Sequence, residues 1–330
     1  MVPRVIRFHE TGNADVLRIE DLPLAEPGEG EVRLKVEAIS LNRAELMFRQ
    51  GQYLEDPVFP SRLGYETAGI VDAVGPGNGD IRIGDHVSTI PAFSMGEYGV
   101  YGESAIVPEH AVAPYPDNLS AAEGASIWMQ YLTAYGVLID IGQLQRSDTV
   151  VITAASSTVG LAAIQITKAA GALAIATTRG AGKKQFLLDA GADEVIVTDE
   201  EDLVEKVMDR TSGKGADLIF DPVGGPLLEA LADSAAPGAT IFEYGALSPA
   251  PTIFPLFTAL KKGLVIRGYA LFEVVSDADR LARGKQFVYD GLESGALSPF
   301  IDRSFSLDAI ADAHRYMESN EQKGKIVVTV

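Results

Sequence analysis

The sequence predicts an α/β protein in two parts: a small, partly open β-barrel, then a doubly wound domain built on a parallel sheet. Three observations lead there. The first third carries short runs of alternating apolar and polar residues, broken by Gly and Pro. From Thr149 onward, β-branched runs alternate with helical stretches. The length, 330 residues, is more than a single core usually organises.

Each element has its own reason. "EVRLKVEAISLN" (31–42) alternates as a half-buried strand does, and "AGIVDAVGPG" (68–77), "GDHVSTIP" (84–91) and "YGESAIVPEHAVAPYPDNLS" (101–120) continue the pattern. At Ser120 the character changes. Ser120 with Glu123 makes a capping box, and a helical run follows. "TVVITAA" (149–155) reads as a strand buried on both faces, "VGLAAIQITKAAG" as a helix ending on Gly171, and "LAIATTR" as the next strand. The strands "EVIVTD", "ADLIFDPVG" and "ATIFEYG" follow, with helices between them. The predicted division is 1–121, completed by 271–330, and 122–270.

Composition narrows the chemistry. There is no cysteine, which excludes disulfides, thiolate metal sites and cysteine nucleophiles. The four histidines (His9, His86, His110 and His314) share no metal-ligand spacing, so no metal is expected. A net charge of −19 argues against nucleic acid. The acidic run "TDEEDLVEKVMDR" (198–210) reads as the solvated face of one helix. The start "MVPRVIRFHE" has no apolar core of a signal peptide, and no stretch is long and apolar enough to span a membrane. A cytoplasmic protein is the expectation.

A nucleotide site is expected after the first strand of the second part. In "AASSTVG" (154–160), Ala155, Ser157 and Gly160 stand where a dinucleotide fingerprint has its three glycines. Ser156, Thr158 and Val159 complete the turn, so that backbone N–H groups can meet a pyrophosphate at the helix start. The end of the second strand, "ATTRGAGKK", has no acid to hold a ribose hydroxyl. It offers Arg179, Lys183 and Lys184, with hydroxyls at Thr177 and Thr178, and no carboxylate nearby in the chain. Cations at a helix start oppose the dipole, which favours a phosphate as their reason. NADPH is therefore expected rather than NADH.

"SLNRAELMFRQGQY" (40–53), "LGYETAGIVDAVG" (63–75), "GDHV" (84–87), "AASSTVGLAAIQITKAAGA" (154–172) and "FDPVGG" (220–225) together resemble the medium-chain dehydrogenase/reductase superfamily. Within it they are similar to the zinc-independent quinone oxidoreductase branch, which includes enone and enoyl-thioester reductases. The resemblance implies a GroES-like catalytic domain and a Rossmann domain with the active site in the cleft between them. Zinc members carry ligands about where Asn42, Tyr65 and Met129 stand here, so the zinc route to alcohol oxidation is disfavoured. Quinones and α,β-unsaturated carbonyls accept hydride without a metal.

By the same resemblance, Tyr53 is a proton donor to the developing enolate, or else a stacking wall for a planar substrate. Asn42 points its amide at the substrate or nicotinamide, or simply caps the end of its strand. Thr133 and Tyr135 line the nicotinamide ribose and ring, Tyr244 and Gly245 the carboxamide, and the turn at Gly324 and Lys325 approaches the same side. Tyr131 and Tyr269 are expected to line the substrate, and Tyr65 either to line it too or to fill the space a metal would have occupied. Trp128 and Phe272 are further aromatic candidates. Glu66 is expected to pair with Lys325. A homodimer joined through the strands after residue 239 follows by analogy. Two alternatives stay open: an enoyl-thioester reductase, and a largely non-catalytic NADPH-binding protein.

Overall fold

The computed structural model describes residues 2–77 and 79–330 and divides into two compact units. One holds residues 1–129 and 299–330, the other residues 130–298. The divisions at 129/130 and 298/299 lie later than the 121/122 and 270/271 read from the sequence. The reason is the helix Ala278–Glu293, which packs on the helix Trp128–Tyr135. A Cβ on Gly284 would meet Leu132 at 2.8 Å, and the Phe287 and Tyr135 rings lie 5.1 Å apart.

The first unit is built on the long strand Glu31–Ser40. One edge pairs antiparallel with Glu66–Val74. The other edge is shared in turn: Ser104–Pro108 takes its first half and Lys325–Thr329 its second. Strand Ile301–Ser306 flanks Lys325–Thr329, while His86–Thr89 and Val112–Pro114 extend the sheet beyond Glu66–Val74. Alternation in the sequence matches the burial, with Val32, Leu34 and Val36 inside. Gly69 sits where the strands cross closely, since a Cβ there would meet the Lys35 carbonyl at 2.1 Å.

The second unit is a six-stranded parallel sheet in the order Glu194–Val197, Leu173–Thr178, Thr149–Ile152, Ala216–Asp221, Ala235–Glu243, Val265–Gly268. The chain order reverses between Thr149–Ile152 and Ala216–Asp221, the switch point at which such sheets bind ligands beyond their carboxyl ends. The capping box at Ser120 forms, with Glu123 accepting from the Ser120 N–H at 2.8 Å. The long helix expected after it breaks into Ala121–Gly124, Trp128–Tyr135 and a π-helical turn Gly136–Ile141. The acidic run forms the helix Leu203–Arg210, capped by Asp202, with Leu203 and Val207 buried.

One core cluster joins the central strands of this sheet to the helices on one face: Val151, Ile175, Ile219 and Ile241 pack with Val207 and Leu231. Ile219 is at its centre and fully buried. Ile219→Ala should destabilise the unit by about 2–4 kcal/mol in urea unfolding. A loss under about 1 kcal/mol would mean that the core collapses around the missing atoms.

Candidate functional site

In the second unit the turn after Thr149–Ile152 is tight and strained. Ala154 adopts φ 44°, a left-handed conformation unusual for alanine. Ser157 caps the helix Thr158–Ala169, its Oγ accepting from the Gly160 N–H at 3.1 Å. A Cβ on Gly160 would lie 2.6 Å from the Ala155 carbonyl, so only glycine lets the helix start this close to the strand end. Ser156, Ser157, Thr158 and Val159 are half-buried at the helix N-terminus, where N–H groups and the dipole favour an anion.

The expected cations converge in part. Lys183 reaches back across the sheet end and donates to Ser156 Oγ at 3.1 Å, tying the second strand's end to the phosphate turn. Arg179 is exposed and has no carboxylate partner among the described residues. Lys184 is a correction. Its ammonium lies 3.5 Å from Glu201, which also pairs with Lys206, so the cluster does have a carboxylate nearby. Sequence distance concealed it: Glu201 follows the next strand. Thr177 and Thr178 are buried, and the Thr178 hydroxyl makes a long 3.4 Å contact with the Gly180 carbonyl.

Tyr244 stacks on Phe220 at 4.1 Å, and its hydroxyl faces Ser157. Its backbone N–H donates to the Asp221 carbonyl at 2.9 Å, and the exposed Gly245 follows. Thr133 is buried in the helix Trp128–Tyr135. Two tyrosines expected at the substrate are instead interior. Tyr131 is 1% exposed and donates to Gln165 Oε1 at 2.9 Å, while Gln165 in turn holds the backbone of Ser298. Tyr269 is 6% exposed, and its hydroxyl closes on the π-helical turn, where a Cβ on Gly136 would meet it at 2.1 Å. Large apolar rings next to glycines were core packing here.

The first unit brings the other expected residues together around a buried ammonium. Lys325, with no exposure, donates to Glu66 Oε2 at 2.5 Å and to Asn42 Oδ1 at 2.8 Å. The Asn42 amide also donates to Glu66 at 3.1 Å and to Glu45 at 3.2 Å. Glu66 Oε1 accepts from the Met129 N–H at 2.8 Å. Glu45 accepts from the N–H groups of Asn42 at 2.5 Å and Tyr65 at 3.1 Å. The pairing of Glu66 with Lys325 is as expected. Two other expectations change. The Asn42 amide is spent on three buried partners rather than aimed outward, and the Lys325 ammonium is enclosed rather than offered to a cofactor.

Tyr53 is half-buried, and burial pushes its phenol up to about 12. Its ring meets that of Tyr65 edge-on at 6.3 Å, and the Tyr65 hydroxyl makes a long 3.5 Å contact with Glu55 Oε1. Tyr65 itself is 1% exposed and packs on Phe93 at 5.7 Å. It therefore fills space behind Tyr53 instead of lining a substrate surface.

Residues 28–117 match the family described as "Alcohol dehydrogenase GroES-like domain", and residues 158–283 the family described as "Zinc-binding dehydrogenase". A quinone oxidoreductase of Pseudomonas aeruginosa is 30% identical over 324 residues, covering 98% of this chain and 98% of that one. This chain belongs to the medium-chain dehydrogenase/reductase superfamily, in its quinone oxidoreductase-like branch. Among solved structures of the superfamily, Escherichia coli quinone oxidoreductase complexed with NADPH superimposes with TM-score 0.91 at 28% identity, over 99% of this chain and 100% of that one. A structure described as an NAD-dependent alcohol dehydrogenase gives TM-score 0.91 at 32% identity, over 99% of each chain.

Despite the superfamily's zinc-binding label, the donor set here does not suit zinc. Asn42, Tyr65 and Met129, the residues that the resemblance sets at the ligand positions, are poor zinc donors, and the nearby Glu66 carboxylate is committed to Lys325. Among the described residues no group of three or more His, Cys, Asp or Glu side chains is arranged to hold a metal ion.

Two features escaped the sequence reading. Glu45 is fully buried, and burial pushes its carboxyl up to about 7 against the pull of Asn42 and Lys325. Its signal was the N-x-x-E spacing from Asn42, a helix start of the kind recognised at Ser120 but passed over here. Asp221 and Glu243 end adjacent strands. Asp221 accepts from the N–H groups of Val223 at 3.0 Å and Gly224 at 2.8 Å, and burial together with the adjacent Asp221 carboxylate raises Glu243. No local pattern marks that pair, because only the sheet brings it together.

Glu45 binds its proton more tightly folded than unfolded. Stability should therefore fall as pH rises from about 4.5 through 7, by up to about 3 kcal/mol. Glu45→Gln should flatten that part of the curve. Unfolding at about pH 5 and about pH 8 compares the two proteins, and parallel curves would show that Glu45 is ionised throughout.

Proposed function

We propose that this protein is an NADPH-dependent oxidoreductase that reduces quinones or α,β-unsaturated carbonyls without a metal. The observation that carries the reading is the joining of Lys183 to Ser156 across the sheet end, with an exposed Arg179 that has no carboxylate partner among the described residues, in a chain of net charge −19. A positive corner in so acidic a protein suits a 2′-phosphate next to the pyrophosphate turn. The turn fits the group: Ser156, Ser157, Thr158 and Val159 are half-buried at the helix start, and Gly160 lets that helix begin close to the strand end. The P. aeruginosa and E. coli quinone oxidoreductases support the activity, and the NADPH of the E. coli complex supports the cofactor.

The bound nicotinamide supplies a hydride. The chain's residues do the rest. Ser157 and the helix N-terminus hold the pyrophosphate, and Arg179 with Lys183 selects the phosphorylated ribose. Tyr244 sits over Phe220 as an aromatic platform at the strand ends. Tyr53 gives its proton to the enolate formed when an enone takes hydride at its β-carbon. Its phenol is protonated at neutral pH, as an acid must be, although the burial that raises it also makes it a weaker donor. A hydroquinone can take its protons from water, so quinone reduction depends on Tyr53 less.

We also propose that the protein works as a homodimer. The edge strand Val265–Gly268 has no strand partner on its outer side among the described residues. Beside it Ile253, Phe257 and Leu260 are 78%, 85% and 71% exposed, an apolar surface continuous with an open strand edge. A second copy covers both at once.

Three measurements test this reading. Arg179→Ala with Lys183→Ala should raise KM for NADPH about a hundredfold and leave that for NADH nearly unchanged. An unaltered cofactor preference would refute the assignment. Steady-state NADPH oxidation with a small quinone and an alkenal should show turnover, and Tyr53→Phe should depress the alkenal reaction far more than the quinone one. Tight NADPH binding with no turnover of either acceptor would point to a non-catalytic protein. Light scattering should give twice the chain mass, falling to one in Phe257→Asp with Leu260→Asp, whereas a monomeric wild type removes the dimer.

A further inference from the structure

We infer that Glu55 is a positioning residue for proton transfer: its carboxylate fastens the stretch that carries Tyr53 to Ser94 and Met95, and so sets where the Tyr53 phenol stands. The inference rests on Tyr53 being the proton donor to an enolate.

Residues 53–58 lie in no helix or strand. On one side the stretch is tied at Gln52, whose N–H donates to the Met47 carbonyl at 2.8 Å. On the other, Phe59 packs edge-on against the buried Phe8 at 5.7 Å, and Phe8 exchanges backbone hydrogen bonds with Ser61. Apolar burial does not fix the middle, because Leu54 and Val58 are 74% and 80% exposed. Glu55, half-buried, does. One carboxylate oxygen accepts from Ser94 Oγ at 2.7 Å and the other from the Met95 N–H at 2.9 Å. That anchor is itself fixed, since Met95 is fully buried at the start of the short helix Met95–Tyr98 and Phe93 packs on the Tyr65 ring at 5.7 Å.

Tyr53 and Glu55 also share a wall. The Tyr65 ring meets that of Tyr53 edge-on at 6.3 Å, and the Tyr65 hydroxyl lies 3.5 Å from Glu55 Oε1. Tyr65 is held through its backbone, its N–H donating to Glu45 at 3.1 Å and its carbonyl accepting from Thr89 Oγ1 at 2.7 Å. Without Glu55, Tyr53 would keep an edge contact on one side and an exposed turn on the other. Position matters because a proton donor must come within about 2.6–3.2 Å of its acceptor, and an error of about 1 Å can cost about a hundredfold. In the reaction, hydride forms a C–H bond at the β-carbon and the C=C electron pair moves to give the enolate. The α-carbon then takes the Tyr53 proton as the O–H bond breaks, and water restores the phenol. Glu55 is spent on Ser94 and Met95 and acts through Tyr53.

Glu55→Ala should lower kcat for an alkenal about tenfold or more, with KM for NADPH unchanged and a much smaller loss with a quinone. Glu55→Gln can still meet both partners and should recover most of that loss. Added to Tyr53→Phe, Glu55→Ala should cost the alkenal reaction nothing further. A second measurement needs no turnover. With 3-fluorotyrosine at position 53, the 19F resonance reports the surroundings of the ring, and Glu55→Ala should move it toward the position of the free amino acid while Glu55→Gln leaves it in place. If Glu55→Ala does not fold, Ser94→Ala removes one donor and should show the same split between alkenal and quinone. Equal losses with the two acceptors, a glutamine variant as impaired as the alanine one, or an unmoved 19F resonance would overturn the inference. If the wild type reduces neither acceptor, the proposed function fails, and the 19F comparison still decides whether Glu55 places Tyr53.

Discussion

An ammonium group shut away from water is tolerable only when acceptors surround it, and the first unit is organised around meeting that requirement for Lys325. Glu66 and Asn42 supply the oxygens. Taking a lysine and a carboxylate out of water costs several kcal/mol each, and the pair is stable only because its remaining valences are filled. Filling them recruits the neighbourhood. Asn42 brings the start of the helix Arg43–Arg49, Glu66 receives the Met129 N–H, and Glu45 draws in the backbone of Tyr65. The strand Glu31–Ser40, the strand beginning at Glu66 and the strand beginning at Lys325 are stapled at one point. Tyr65 and its partner Tyr53 take their places from that staple.

The same network stands where the resemblance to zinc-dependent relatives would set a metal. A zinc ion would be a concentrated positive charge held by anionic ligands. Here the positive charge is an ammonium, held by one carboxylate and one amide, and tyrosine rings take up the adjoining space. The charge balance of the region survives while its Lewis acidity is lost. Under the proposed function, what remains suits acceptors that are already electron-poor and need only a hydride and a proton.

How far the sequence was legible depended on whether a feature is local. Strands of the first unit could be read from alternation, because the sheet has one buried face. The parallel strands could be read from unbroken β-branched runs, because both their faces are covered. The phosphate turn was legible despite two missing glycines, since its setting after a buried strand is itself a pattern. What failed was non-local. Whether a tyrosine faces a substrate or a core depends on what stands opposite it, and for Tyr131 and Tyr269 that is Gln165 and Gly136. Lys184 looked unpaired because Glu201 lies across a strand and a turn. The destination of the Asn42 amide depended on a lysine far along the chain.

That last separation bears on how the protein is made. Glu66 and Lys325 are 259 residues apart, and the whole second unit lies between them in the chain. Its sheet uses only its own residues, so it can close while the first unit still lacks two strands and the counter-charge for its buried carboxylates. Synthesis from the N-terminus thus inverts the order of the parts: the segment made first finishes folding last. Until Lys325 arrives, Glu66 lacks its counter-charge, and the barrel that will hold Tyr53 stays open.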